Sequence, residues 1–226
     1  MIGIVDYGMG NLRSVEKALQ KVGAETRFVR TVADLEGLSG LVLPGVGAFG
    51  DAVRNLRHTG LWEPLRQWAA DNKPFMGICL GYQLLFDSSE EAAPDVAGLS
   101  IFPGKVVRFV TEDPSVKVPQ IGWNSVRLAQ PESVLFRDTP DGTYFYFVHS
   151  YYPAPADPSV TALGTEYAGA EFASAVGRGN VYGTQFHPEK SQSAGLSLLH
   201  RFAMICGEAR ALPDIVQPAG HETMLA

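Results

Sequence analysis

Residues 74–86 read "PFMGICLGYQLLF", and the fold turns on how this run divides. Phe75 to Ile78 is a short apolar stretch behind a proline, the length of a buried strand, while "YQLLF" reads as the start of a helix. Cys79 stands at the junction between Gly77 and Gly81. Gly-x-Cys-x-Gly between an apolar strand and a helix has the form of a nucleophile elbow, with sulfur in place of a hydroxyl. Side chains at 77 and 81 would collide where the backbone turns sharply and holds the nucleophile under strain. A helix start beneath the sulfur would favour its thiolate. The Leu80 amide would face a developing oxyanion. The other reading makes Cys79 a small buried residue in a tight turn, and free cysteines are often buried. The run itself leaves both open.

Working outward, "MIGIVDY" is an apolar β-branched strand, and "LRSVEKALQKVG" (12–23) has helical spacing at Leu12, Val15, Ala18, Leu19 and Val22, closed by Gly23. "ETRFVR" supplies a second strand, and Leu41 to Leu43 a third that runs into a glycine-rich loop at Pro44 to Gly50. Residues 51–71 are helical in pattern, with Pro64 opening a second piece. Strands alternating with helices in this way predict a parallel sheet covered on both faces. Beyond residue 100 the pattern becomes strand-like runs between turns: "GKVVRF", "GWNSVRL", "TYFYFVHSYY", "SVTALGTEY" and "EFASAVGRGNVYGTQF". A helix returns over 193–206. The expectation is one α/β domain over 1–208, with a mostly parallel central sheet flanked by helices and a smaller antiparallel or mixed sheet. A loose polar tail over 209–226 follows.

Composition narrows the function. A net charge of −6 leaves no basic surplus to meet phosphates, which argues against a nucleic-acid partner. No window of about 18 apolar residues is present, so no membrane span is expected. The first residues carry neither a basic leader nor a long apolar run. Two distant cysteines suggest free thiols in a reducing cytoplasm rather than a disulfide. "YGMGNLRS" has glycines after a strand, but Arg13 breaks the dinucleotide-binding fingerprint.

"TQFHPEKS" (184–191) offers what a cysteine nucleophile needs, a proton carrier and a carboxylate to orient it. His187 and Glu189 are two apart and share a side of an extended segment, and Pro188 keeps His187 extended. A solvated turn before a helix explains the same residues. A metal reading of His-x-Glu lacks further ligands at suitable spacing. Cys206 is expected in the core, His149 as structural, and His58, His200 and His221 as surface or helix residues.

Taken together, "PGVGAFGDA", "GICLGYQLL", "GWN", "YFVHSYY" and "TQFHPEKS" resemble the triad (class I) glutamine amidotransferase family over about residues 2–206. The resemblance implies a flavodoxin-like α/β fold and hydrolysis of L-glutamine to glutamate and ammonia without a cofactor or metal. By the family's pattern Cys79 is the nucleophile, His187 the base and then acid, and Glu189 its orienting partner. Val46, Gly47 and Leu80 supply oxyanion-binding backbone. Gly45, Gln83, Glu91, Ser150 and Tyr151 bind glutamine, although Glu91 reads equally as an exposed acid of "SSEE". Among family members, "DYGMGN", "GWN" and "FVHSYY" are most similar to the glutaminase subunits of histidine biosynthesis. Those subunits pass ammonia to a separate cyclase of (β/α)₈-barrel type in a heterodimer. That likeness makes Asn11, Trp123, Asn124, Tyr146 and Lys190 interface candidates. Their other roles are core or rim aromatics for Trp123 and Tyr146 and a solvated charge for Lys190. Tyr82 stands where the family often has Met. An amidotransferase subunit of another pathway (anthranilate or aminodeoxychorismate synthase type) and a γ-glutamyl hydrolase are the alternatives.

Overall fold

The computed structural model describes residues 1–209. The expected tail therefore lies, from residue 210 on and with His221 in it, outside the described residues. In chain order the elements are β1 (Ile2–Val5), α1 (Leu12–Lys21), β2 (Thr26–Val29), β3 (Gly40–Gly45), α2 (Phe49–His58), α3 (Trp62–Ala70), β4 (Phe75–Cys79) and α4 (Leu80–Gln83). They continue with β5 (Ser88–Ser89), β6 (Gly104–Arg108), β7 (Gln120–Leu128), β8 (Thr143–His149), β9 (Tyr151–Pro155), β10 (Thr161–Tyr167), β11 (Ala170–Arg178), β12 (Val181–Thr184) and α5 (Gln192–Ile205).

Among the described residues, nine strands form one sheet in the order β2-β1-β3-β4-β12-β11-β10-β7-β8. The first five run parallel, as the strand–helix alternation predicts, and each neighbour from β11 onward is antiparallel. The antiparallel strands thus extend the central sheet, and a small separate sheet holds only β5-β6-β9. Alternate strand residues go to opposite faces. Ile2, Ile4, Val42, Met76 and Ile78 pack under α1 and α5, while Val5, Leu41, Leu43 and Phe75 pack under α2 and α3. α1 presents Val15, Ala18 and Leu19 to that core and ends at Gly23, whose φ of +89° suits a helix stop.

Two local expectations change. Pro44 and Gly45 finish β3 instead of opening a loop, and α2 starts at Phe49, so the glycine-rich connection shrinks to Val46–Ala48. The helix after Cys79 is a single turn. Leu84, Leu85 and Phe86 are all wholly buried, and a segment apolar on every side runs through a core rather than along its surface.

β12 sets the site. It comes late in the chain yet inserts beside β4, with Thr184 opposite Ile78. The residues that follow Thr184 therefore leave the sheet next to Cys79. His200, expected on a surface or a helix, is on α5 but wholly buried.

Candidate active site

Open α/β sheets receive ligands at the carboxyl ends of their strands. Here β3, β4 and β12 end side by side over a cavity of about 420 Å³. Its walls include Val46, Gly47, Cys79, Leu80, Gln83, Glu91, Ser150, Tyr151, His187 and Lys190, ten of the residues singled out from the sequence. Gly45 sits behind that wall, opposite Cys79 in the β3–β4 register.

Cys79 has φ +55° and ψ −109°, a strained conformation for a residue with a side chain. Both flanking glycines are needed. A Cβ at Gly81 would come within 1.8 Å of the Leu43 carbonyl oxygen, and one at Gly77 within 2.7 Å of the Gly81 carbonyl. As the first residue of a single turn, Leu80 has no acceptor for its N–H inside that turn. A turn this short sums few peptide dipoles, so the expected helix-dipole effect on the sulfur falls to the nearest amides.

His187 Nδ1 lies 2.7 Å from Glu189 Oε1, and both side chains are almost fully buried. The carboxylate accepts, so Nδ1 carries the proton. Nε2 and Glu189 Oε2 have no hydrogen-bond partner among the described residues. Burial works against a charged ring here, yet interaction with the Cys79 and Glu189 side chains outweighs it and pushes His187 up to about 10. The sulfur acts on the imidazole charge although Nε2 is outside hydrogen-bond geometry. A thiol, an imidazole and a carboxylate thus share one buried corner, an arrangement able to attack an amide carbonyl and then protonate the leaving nitrogen.

The remaining candidates divide. Gln83 donates to the Tyr151 carbonyl at 2.9 Å and to Gln185 Oε1 at 3.1 Å, which engages both its N–H bonds. Glu91 accepts the Phe49 N–H at 2.8 Å, capping α2 while lining the cavity. The Ser150 carbonyl accepts from Phe109 N–H. Trp123 and Tyr146 face each other across β7 and β8, edge to face at 6.2 Å, with Lys190 Nζ 5.9 Å over the Tyr146 ring. Lys190 therefore joins the cavity to a tryptophan 46% exposed. Asn124 is engaged internally, donating to Glu166 O and accepting from Ser125 N–H. Asn11 is exposed at the start of α1.

Three further residues stand at the site. His149, expected as structural, lines the cavity. Burial lowers its pKa to about 4, and its Nδ1 meets the Tyr151 carbonyl at 2.8 Å. Tyr7, with a buried hydroxyl that lacks a partner among the described residues, is raised by burial first and by Cys79 second. Gln185 places Nε2 3.8 Å from Cys79 Sγ. His187 is extended as expected, but Pro188–Lys190 form a 3₁₀ turn, so Glu189 meets the ring across that turn rather than along an extended segment, and the 187–189 spacing carries no signal for Gln185.

Residues 3–206 match the family described as Glutamine amidotransferase class-I. A Moorella thermoacetica protein named imidazole glycerol phosphate synthase subunit HisH is 48% identical over 208 residues, 92% of this chain and 96% of that protein. Its namesake from Rhodopirellula baltica is 50% identical over 204 residues, 90% and 97% respectively. Among solved structures, a glutamine amidotransferase crystal structure has a TM-score of 0.70 at 20% identity, covering 91% of this chain and 98% of that one. PurLQS from Thermotoga maritima has a TM-score of 0.68 at 20% identity, covering 91% and 96%. These structures speak for the fold.

Proposed function

This chain belongs to the class-I glutamine amidotransferases, and we propose that within them it is the glutaminase subunit of an imidazole glycerol phosphate synthase. It hydrolyses L-glutamine and passes the ammonia to a cyclase partner in histidine biosynthesis. The observation that carries the reading is a coincidence: relatives of that name are 48–50% identical over some nine-tenths of the chain, and its cavity wall brings Cys79 and His187 together, with Glu189 buried behind the imidazole.

In this reading the Cys79 proton has already passed to His187 Nε2, and Sγ attacks the carboxamide carbon of glutamine as the thiolate. Charge that develops on the carboxamide oxygen meets the Leu80 N–H and backbone N–H groups at Val46 and Gly47. His187 returns the proton to the leaving nitrogen, ammonia departs, and a γ-glutamyl thioester remains. Water then attacks the thioester, giving its proton to His187, and glutamate leaves as the sulfur regains one. Glu189 holds the ring so that Nε2 faces the sulfur throughout. Gly45, Glu91 and the Ser150–Tyr151 backbone hold the amino-acid end of glutamine. Because the Gln83 N–H bonds are already engaged, Gln83 meets substrate through its Oε1.

The cyclase is a (β/α)₈ barrel bound as a heterodimer, against the face that carries Trp123, Tyr146 and Lys190, with Asn11 and Asn124 at its edge. Residues 1–208 form the amidotransferase domain, and the protein works in the cytoplasm. The test is a glutaminase assay with and without the cyclase and its phosphoribosyl-formimino substrate. Turnover that rises when both are added supports the reading; turnover indifferent to both contradicts it.

A further inference from the structure

The sulfur of Cys79 has a neighbour besides the imidazole. Gln185 is wholly buried one residue past β12, its backbone N–H donating to Ser174 O at 2.8 Å. Its side chain turns the other way and brings Nε2 to 3.8 Å from Cys79 Sγ. An amide has two faces, and hydrogen counting selects between them. Gln83 Nε2 donates one hydrogen to the Tyr151 carbonyl and the other to Gln185 Oε1. The Gln185 oxygen must therefore face Gln83, which leaves its NH₂ towards the sulfur. Gln83 is itself anchored at the Tyr151 carbonyl, which also accepts from His149 Nδ1.

We infer that Gln185 is a catalytic N–H donor to the Cys79 sulfur, fixing its direction and favouring its anionic form, and that Gln83 is the residue that positions Gln185. The inference deepens the amidotransferase reading and rests on Cys79 being its nucleophile. An N–H bond to a neutral thiol is weak, whereas the same bond to a thiolate is charge-assisted and gains in a buried site. The need for it follows from α4: with only one turn below the sulfur, helix-dipole support is small. A buried amide is costly unless its donors find partners, and among the described residues the sulfur is what this one meets. A purely structural Gln185 would fill space and satisfy Gln83. Its loss would then lower stability and leave the titration of the sulfur alone.

The rate of iodoacetamide alkylation of Cys79, located by mass spectrometry, separates these roles because it needs no bound glutamine. The full chain is compared with Gln185→Met, Gln185→Glu and Gln83→Met across pH. The midpoint of the alkylation profile rises by about one unit in Gln185→Met, further in Gln185→Glu, and by less in Gln83→Met, which leaves the donor present but unanchored. In Gln185→Met, kcat for glutamine falls about tenfold while KM changes less than about twofold. Identical midpoints in wild type and Gln185→Met overturn the inference and leave Cys79 as nucleophile untouched. A wild-type Cys79 that resists alkylation at every pH overturns the parent reading, and this inference with it. If Gln185→Met does not fold, Gln185→Glu, of the same shape, decides: its midpoint rises, or the inference fails.

Discussion

Gly45 and Cys79 stand opposite each other in the parallel register of β3 and β4, so the turn at Val46–Gly47 and the Cys79 side chain leave the sheet together. The pairing is tight on its far side. A Cβ at residue 45 would come within 2.4 Å of the Tyr7 hydroxyl and 3.0 Å of Leu80 Cβ. Gly45→Ala is therefore expected to lose about 1–3 kcal/mol of stability through overpacking and to lower kcat by displacing the turn. Tyr7→Phe removes the hydroxyl that the new methyl strikes, so the double variant should recover part of both losses. Urea unfolding and glutaminase assays on the four proteins check this, and an additive double variant refutes it.

Glu189→Gln keeps the shape behind His187 but removes the charge that orients the ring. We expect kcat to fall by roughly two to four orders of magnitude with little change in fold. Steady-state kinetics with a circular dichroism control checks this. Undiminished kcat would detach Glu189 from the reaction.

The two cavity histidines titrate in opposite senses. His149 is lowered from its usual 6.5 to about 4, so its stabilising effect is complete above pH 6.5 and is lost as pH falls through 4. His187 is raised to about 10, so its effect is complete below pH 6.5 and is lost as pH climbs towards 10. Between pH 7 and pH 4, wild type should lose about 3 kcal/mol more than His149→Asn. Parallel unfolding curves at the two pH values would show that His149 is not held neutral by burial.

Tyr82→Phe tests a departure noted in the sequence. The Tyr82 hydroxyl donates to the Ala173 carbonyl at 3.0 Å in a fully buried site, tying the elbow segment to β11. Its removal should cost about 1 kcal/mol in urea unfolding and leave glutamine KM unchanged. A neutral change in stability contradicts the bond.

Trp123→Ala addresses the proposed partner face. Trp123 is half-exposed and touches Tyr146 by its edge, so its truncation should lower stability by no more than about 1.5 kcal/mol while reducing activation by the cyclase severalfold. An unfolded variant would put Trp123 in the core, and unchanged activation would remove it from the interface.

What could be read from the chain, and what could not, follows the range of the interactions. Short apolar runs between glycines give the parallel strands because each element is fixed by its own side chains. Gly77, Cys79 and Gly81 are legible for the same reason, since the clash that excludes side chains there arises within a few residues and at the adjacent β3. The insertion of β12 between β4 and β11 joins residues a hundred positions apart, and no local pattern encodes it. It is this insertion that brings His187 and Gln185 to the sulfur. Glu91 looked like one acid among several because its role as a cap on α2 appears only once Phe49 is beside it. The helical composition of "YQLLF" favours a helix longer than the single turn of α4, and burial of Leu84, Leu85 and Phe86 overrides that preference.

Trapping the acyl-enzyme tests the nucleophile most directly. The complex with the cyclase is mixed with glutamine, quenched in acid and digested, and the peptide that holds Cys79 is weighed. A glutamyl group attached at Cys79, absent from Cys79→Ala along with all turnover, is the predicted result. Full turnover by Cys79→Ala, or a glutamyl group found on Cys206, would contradict it.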